Sequence, residues 1–214
     1  MKIYAIPGLG ADERVFECLD LEKELIVLEW PTIISGESLA EYALRMAAPI
    51  VKNEEFIILG VSFGGVIALE MSKFLNPLQT IVVSSILSEK ELPFFAKIVG
   101  STAILSYVPH YTFLWNKRYI INWFSTKNRK LLRQILDDTD SRFVKWAMTK
   151  LFEWSADNNY VNVLRIHGDK DLIIPFPKTS KVKRIVGGGH FMIVDDAEEI
   201  SVLINHNIVL SDEW

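Results

Sequence analysis

The sequence contains a single cysteine, Cys18, among its 214 residues. One cysteine cannot form an intramolecular disulfide, and the chain has no cysteine–histidine cluster of the kind that binds zinc. It also has no uninterrupted run of about 18 apolar residues, so we predict no membrane span. The amino-terminal residues lack the apolar segment and cleavage site of a signal peptide. Together these absences lead us to expect a cytoplasmic protein.

Basic charge is not in excess either. The formal net charge is −4 at pH 7 and the pI is about 5.6, which argues against general binding to nucleic acid. Half of the residues are hydrophobic, and a chain of this length can bury one substantial core. We therefore expect a single globular unit without a nucleic-acid partner. The composition does not indicate the oligomeric state.

Strand-like and helix-like segments alternate along most of the chain. The apolar runs with strand character are 3–6, 25–29, 56–61, 80–84, 162–167 and 183–186. Helical patterns occupy 12–19, 38–51, 63–75 and 197–207, and Ser38 with Glu41 forms a predicted capping box. Such alternation implies right-handed βαβ units. The predicted fold class is α/β, with a doubly wound, mainly parallel sheet and helices on both faces.

The segment 93–154 breaks this alternation because it contains no convincing strand. It holds 13 of the 24 aromatic residues and ten lysines and arginines against four acidic residues. We interpret 89–154 as a helical cap inserted into a core formed by 1–88 and 155–214. Most of the aromatic side chains are expected to pack and a minority to line a pocket. The basic residues indicate either solvated helix faces or a surface that attracts anions.

Residues 60–64 read Gly-Val-Ser-Phe-Gly, between the apolar run 56–61 and the helical pattern 63–75. This order is typical of a nucleophile elbow, a strained turn between strand and helix that exposes a serine hydroxyl. The glycines permit close approach of strand and helix, and the helix N-terminus offers free N–H groups to a negative charge. Ser62 is therefore the predicted nucleophile. The alternative is a glycine-rich turn with a solvated serine.

A nucleophilic serine needs a base within hydrogen-bond reach, and the base needs an acid to orient it. His190 follows the strand 183–186 and three glycines, so it is displayed at the carboxyl edge of the sheet, where reacting groups gather. Of the other histidines, His206 is expected at the surface or in packing and His167 in a turn or in packing, while His110 lies in the inserted segment. For the acid, the loop after 162–167 offers both Asp169 and Asp171, and the residues alone leave this choice open.

Three motifs together resemble the α/β-hydrolase family. They are the serine pentapeptide around Ser62, the run His-Gly-Asp-Lys-Asp at 167–171 followed by Pro175, and Gly-His at 189–190. The order serine, aspartate, histidine is that of the family, and the resemblance covers nearly the whole chain. In similar proteins the acid is the last aspartate of the pattern His-Gly-x-x-Asp. The resemblance therefore implies Asp171 as the acid.

The resemblance also implies where an oxyanion would bind. The family has a His-Gly-x motif after its first core strand, and here residues 7–10 read Pro-Gly-Leu-Gly. Leu9 would then supply one backbone N–H and Phe63 the other, with Pro7 in place of the usual histidine. The sheet begins without the first two antiparallel strands of the family. The segment 89–154 is similar to the helical cap of the family.

From these residues we expect hydrolysis of a carboxylic ester or thioester of a small, partly apolar substrate, through an acyl-enzyme on Ser62. The catalytic residues would be Ser62, Asp171 and His190, and neither a metal nor an organic cofactor is implied. A serine at the elbow argues against epoxide hydrolase or dehalogenase chemistry, which uses a carboxylate. Two alternatives stay open. One is a catalytically silent member of the fold that binds a small ligand, and the other is an acyltransferase that uses the same triad.

Overall fold

The computed structural model of the chain describes residues 1–51, 53–93, 107–156, 160–178 and 181–208. Within these residues, one six-stranded sheet forms the centre. The strands are β1 Lys2–Ile6, β2 Glu24–Val27, β3 Phe56–Val61, β4 Gln79–Val83, β5 Val163–Gly168 and β6 Lys183–Ile185. Neighbouring strands all pair in parallel, in the order β2-β1-β3-β4-β5-β6. The predicted α/β fold class is confirmed, and the described sheet contains no antiparallel strand.

Helices cover both faces of this sheet. One face is covered by α1 Leu39–Met46 and α2 Phe63–Leu75, and the other by α6 Met192–Asp195 and α7 Ala197–Asn207. Three further helices lie between β4 and β5: α3 Lys117–Phe124, α4 Arg129–Asp138 and α5 Ser141–Glu153. Short 3-10 turns occur at Glu13–Val15, Glu89–Glu91 and His110–Leu114. Among the described residues, no helix is long and apolar enough to cross a bilayer.

Alternate residues of the central strands point into two separate hydrophobic cores. Ile57 and Leu59 of β3 belong to the core that includes α7, whereas Ile58 packs in the core formed with α1 and α2. All six residues of β3 are buried. Burial on both faces explains why the sequence of this strand is a continuous apolar run instead of an alternating one.

The start of α1 confirms the predicted capping box. The Glu41 N–H donates to the Ser38 hydroxyl, and the Glu41 carboxylate accepts from the Ser38 N–H at 2.7 Å. The sequence pattern predicts that this helix continues to residue 51, but it ends at Met46. Pro49 explains the difference, because it lacks an N–H and disfavours a helical conformation in the residue before it.

The helix predicted over 12–19 is wrong. Only the turn Glu13–Val15 forms there, and Phe16 follows it with its side chain buried. The Asp12 carboxylate caps this turn by accepting from the Arg14 N–H. Because Val15 and Phe16 already pack against the sheet core, a single turn satisfies the apolar pattern that we attributed to a longer helix.

Between β4 and β5 the described residues 107–154 contain helices and turns and no strand. Residues 94–106 of the predicted cap lie outside the described residues, and the boundaries 89–154 stay a prediction. Five aromatic side chains of this segment are more than half exposed: Tyr107, Tyr111, Trp115, Tyr119 and Trp123. The other six described aromatic residues of 93–154 are buried or half-buried, which agrees with the expectation that most of them pack.

The strand order places the ends of β1 and β3 at the centre of one edge. After β1 the chain forms β2 on one side, and it then returns to form β3 on the other side of β1. In open parallel sheets such a reversal opens a crevice beyond the carboxyl ends of the strands. Leu9 follows β1 and Ser62 follows β3, so both lie beside this crevice.

Candidate active site

Ser62 occupies a backbone conformation that few residues adopt. Its φ is 53° and its ψ is −120°, a region that costs on the order of 1–3 kcal/mol and persists only when neighbours enforce it. A Cβ on Gly60 would lie 2.4 Å from the Gly64 carbonyl oxygen, and a Cβ on Gly64 would lie 2.3 Å from that of Pro7. The two glycines of the pentapeptide are therefore required by close backbone approach.

The structure brings the serine and the predicted base and acid into one hydrogen-bonded line. The Oγ of Ser62 lies 3.0 Å from Nε2 of His190, and Nδ1 of His190 lies 2.8 Å from Oδ2 of Asp171. A carboxylate only accepts, so Nδ1 carries the proton. Nε2 is then free to accept the hydrogen of the Ser62 hydroxyl.

Asp171 is buried, and its charge is stabilised by its neighbours. Oδ1 accepts hydrogen bonds from the N–H groups of Ile173 at 2.8 Å and Ile174 at 2.9 Å. Burial alone would raise the pKa of this carboxyl, but the electrostatic attraction of His190 and hydrogen bonds from both histidines and the loop backbone lower the pKa well below its usual range. The carboxylate is thus ionised and held in place before any substrate binds.

A second histidine, which the sequence assigned to a turn or packing role, contacts the same carboxylate. Nε2 of His167 lies 3.4 Å from Oδ2 of Asp171 and 2.9 Å from the carbonyl oxygen of Ile174. Both neighbours are acceptors, so this nitrogen carries a proton. The spacing of four residues between His167 and Asp171 was visible in the sequence. Only the turn after β5 shows that it brings the two side chains together.

The remaining candidates lie elsewhere. Asp169 pairs with Arg184 and accepts a hydrogen bond from the N–H of Gly187 at 2.7 Å. Within the described residues, it makes no hydrogen bond to His190. His110 lies 2.8 Å from the Ser141 hydroxyl in the cap. His206 is exposed on α7.

The two backbone N–H groups implied as oxyanion donors flank the serine. Phe63 is the first residue of α2, so its N–H has no acceptor one turn earlier within the helix. Leu9 lies on the loop after β1, and a Cβ on the adjacent Gly8 would be 3.6 Å from the Cβ of Ser62. Leu9, Ser62, Phe63 and His190 all line one cavity.

Two cavities of unequal size meet at the serine and the histidine. The larger is about 300 Å³ and lies against the cap, with walls that include Trp123, Met148 and Phe152. The smaller is about 60 Å³ and includes Ala11 and Val15. Ser62 and His190 line both cavities, so these two side chains lie where the two spaces join.

Neither a family model nor a curated protein sequence matches the chain. Its fold matches solved structures. A thermophilic esterase from Thermogutta terrifontis superimposes with a TM-score of 0.74 at 15% identity, over 96% of this chain and 88% of that one. A putative aryl esterase from Burkholderia cenocepacia gives 0.71 at 12%, over 96% and 88%. A meta-cleavage product hydrolase from Pseudomonas fluorescens gives 0.66 at 15%, over 97% and 90%.

The chain has the α/β-hydrolase fold. Among the described residues that line the larger cavity there is no Lys, Arg, Asp or Glu. Cap lysines and arginines instead meet acidic partners at the surface, as Lys117 does with Asp137 and Arg142 with Asp140. These observations argue against a charged substrate pocket, and both interpretations of the basic residues, solvated helix faces or a surface that attracts anions, stay open.

Proposed function

We propose that this protein is a serine hydrolase that cleaves carboxylic esters or thioesters through an acyl-enzyme on Ser62. The observation that carries the proposal is the line of hydrogen bonds from Ser62 through His190 to Asp171, at 3.0 and 2.8 Å. These distances are within the range needed for proton transfer between a nucleophile and its base. The proposal includes the cytoplasm as the location, because of the lone cysteine.

In the first half-reaction, Ser62 Oγ attacks the acyl carbon while His190 Nε2 takes the hydroxyl proton. The backbone N–H groups of Leu9 and Phe63 stabilise the oxyanion of the tetrahedral intermediate. His190 then protonates the leaving alcohol or thiol. In the second half-reaction His190 activates water, which releases the acid and restores the serine. Asp171 holds the imidazole tautomer and stabilises the imidazolium.

The two cavities narrow the substrate class. A buried cavity of about 150 Å³ is large enough for benzene, so the space of about 300 Å³ next to Ser62 accommodates an apolar group roughly twice that size. The space of about 60 Å³ fits a group of roughly one to three heavy atoms. We therefore propose an uncharged ester or thioester with one short side and one long apolar side.

The experiment compares Ser62→Ala with His206→Ala on graded aryl esters and acyl thioesters. Loss of the attacking oxygen should leave less than about a thousandth of the wild-type rate, while the exposed His206 should be dispensable. Ester pairs with a long acyl and a short alcohol, or the reverse, show which side occupies the larger cavity. Residual activity of Ser62→Ala near the wild-type rate would exclude Ser62 as the nucleophile.

Two other functions give different results in the same assays. A silent binding protein would not react with a fluorophosphonate probe at Ser62. An acyltransferase would react with it, but with added acceptor alcohols it would form new esters instead of free acid. The intact line from Ser62 to Asp171 favours the hydrolase over the binding protein, because a binder needs no base within reach of a serine.

A further inference from the structure

The carbonyl oxygen of Ser62 is held by two donors. It accepts a hydrogen bond from the Ser85 hydroxyl at 2.7 Å and another from the Gly65 N–H at 2.9 Å. This carbonyl and the N–H of Phe63 belong to one planar peptide unit and point in opposite directions. A donor that fixes the carbonyl therefore also fixes the direction of the N–H that we assign to the oxyanion.

Ser85 is brought to this carbonyl by strained and close-packed backbone. The preceding residue, Ser84, has a φ of +50° and is fully buried. A Cβ on Gly65 would lie 2.4 Å from the Ser85 hydroxyl oxygen. Gly65, which directly follows the pentapeptide, is therefore required here, because any side chain at this position would displace the Ser85 hydroxyl from Ser62.

A buried arginine holds Ser85 in turn. Nη2 of Arg165, on β5, donates to the Ser85 carbonyl oxygen at 2.8 Å, and the residue is only 2% exposed. Its guanidinium is also bound by both oxygens of Glu91, at 2.9 and 2.5 Å. Burying a charged guanidinium costs several kcal/mol unless it is well paired, so a hydrophobic residue at this position of the sheet would be the simpler choice for stability alone.

We propose that Ser85 and Arg165 are positioning residues for the oxyanion donor. Arg165, anchored by Glu91, fixes the Ser85 backbone, and the Ser85 hydroxyl fixes the peptide between Ser62 and Phe63. This inference rests on the proposed function. It predicts that the loss of either side chain affects the transition state more than substrate binding.

The test compares Ser85→Ala with Ser201→Ala. Ser201 is also buried, and its hydroxyl also donates to a backbone carbonyl, that of Ala197 at 2.7 Å. Removing the hydroxyl of Ser85 should lower kcat about tenfold, as expected for one hydrogen bond to the elbow, with KM within about twofold. Ser201→Ala should leave kcat unchanged even if it lowers Tm. A kcat for Ser85→Ala within twofold of wild type would overturn the proposal.

A second set of variants covers the risk of misfolding. Arg165→Met removes the positive charge that balances the Glu91 carboxylate, so the double variant Arg165→Met with Glu91→Gln is measured as well. A folded double variant should show the same fall in kcat with an unchanged pH profile, because His190 and Asp171 are untouched. Fluorophosphonate should still label Ser62, but more slowly. Full kcat in a folded double variant would refute the role of Arg165, whereas absence of labelling in the wild type would refute the proposed function itself.

An independent observation concerns the outer surface of the cap. Five aromatic side chains of 107–123 are 54–85% exposed, and together we name them the aromatic surface: Tyr107, Tyr111, Trp115, Tyr119 and Trp123. From residue 107 to 136 the sequence contains six lysines and arginines and no acidic residue. Lys117 pairs with Asp137, just beyond this segment, and Lys127 with Asp196, whereas Arg118, Lys130 and Arg133 are exposed. Trp123 also lines the larger cavity.

We further infer that this surface docks on an anionic lipid–water interface. Tyrosine and tryptophan are enriched where an apolar phase meets water, and neighbouring basic residues are attracted to anionic headgroups, by about 1 kcal/mol each near the surface. The charge of the segment is complementary to such a surface, and Trp123 connects it with the cavity next to Ser62. A soluble acidic partner would explain the basic residues but not the exposed indole rings.

Vesicle flotation tests this inference with phosphatidylcholine vesicles, with and without phosphatidylglycerol. Wild type should bind the anionic vesicles at least tenfold better, and added salt should weaken the binding. The double variant Trp115→Ser with Tyr119→Ser should lose at least tenfold in binding, whereas Phe74→Ser, an exposed aromatic residue of α2, should not. Equal binding to neutral vesicles, or none to either, would overturn the inference. So would a dimer in sedimentation experiments that the double variant dissociates, because the surface would then bind a second copy.

Discussion

The two oxygens of the Asp171 carboxylate have different partners. Oδ1 is bound by two backbone N–H groups of the loop at 173–174, whereas Oδ2 faces His190 and, at 3.4 Å, His167. The loop therefore fixes the carboxylate independently of His190. In the proposed mechanism, the imidazole can therefore turn toward a substrate or a leaving group while the carboxylate keeps its orientation.

Asp171→Asn should lower kcat by several orders of magnitude. The amide can donate to Nδ1 of His190, which would place the imidazole proton on Nε2 and prevent it from accepting the proton of Ser62. Asp169→Asn is the matched control, since Asp169 binds Arg184 and Gly187 at the surface. Steady-state kinetics of both variants decide the assignment, and a reversed outcome would make Asp169 the acid.

The depressed pKa of Asp171 predicts how stability depends on pH. Its pKa is lowered in the folded protein, so the unfolded chain binds the extra proton when pH falls below the ordinary range of aspartate. The stability from this group is fully present above about pH 4 and is lost on acidification, by at most about 1.4 kcal/mol per pH unit. Denaturant unfolding from pH 7 to pH 3 should show a steeper loss for wild type than for Asp171→Asn. If the free energy of unfolding fell equally with pH in both proteins, the stabilising role of the ionised Asp171 would be contradicted.

At the scale of elements, α3 of the cap holds the loop that carries His190. The His190 N–H donates to the carbonyl oxygen of Phe124 at 3.2 Å, and the two rings meet edge to face with centroids 5.0 Å apart. A Cβ on Gly189 would lie 2.9 Å from the carbonyl oxygens of both Phe124 and Ser125. The end of α3 and the proposed base, His190, are thus in direct contact, and the close approach depends on Gly189.

Gly189→Ala should therefore disturb catalysis more than stability. The added methyl collides with backbone, so α3 and the His190 loop must separate, and a displacement of this size at a catalytic base is expected to lower kcat at least tenfold. Gly187→Ala is the control, because it has a φ of +79° and nothing within 4 Å. It should cost about 1–2 kcal/mol in backbone strain while kcat stays unchanged. Equal kcat in the two variants would show that the contact is unimportant.

At the scale of the whole molecule, the sequence predicted the strand and helix around Ser62 better than the side chains that support them, which are Ser85, Arg165 and Glu91. The bounds of β3 and α2 follow from local pattern alone: an apolar run buried on both faces, two glycines around a serine, and a helical period. Each of these signals lies within twenty residues. The elbow and the order of the motifs were therefore predictable.

The supports were not predictable because their partners are distant or uncommon. Arg165 lies in the middle of a buried strand and meets Glu91, 74 residues away, and nothing in the local pattern of β5 indicates this pairing. The role of Ser85 depends on a left-handed residue before it and on the lack of a side chain at Gly65. Such contacts become visible only when the strands are assembled.

The last prediction concerns the unequal spaces on either side of Ser62. Met148 of α5 lines only the larger cavity, and Ala11 lines only the smaller one. Met148→Trp should fill part of the larger space. It should lower kcat/KM more than tenfold for substrates with a long apolar side, because each methylene excluded from apolar surroundings costs about 0.8 kcal/mol. Hydrolysis of an ester that is short on both sides should change less than about threefold, because it leaves that space partly empty. Ala11→Val should do the opposite. It should lower kcat/KM when the short side of the substrate is enlarged, and the length of the long side should matter little. Thermal melting of both variants checks that the core is intact. If Met148→Trp lowered the rates for short and long substrates equally, the larger cavity would not be where the long side binds.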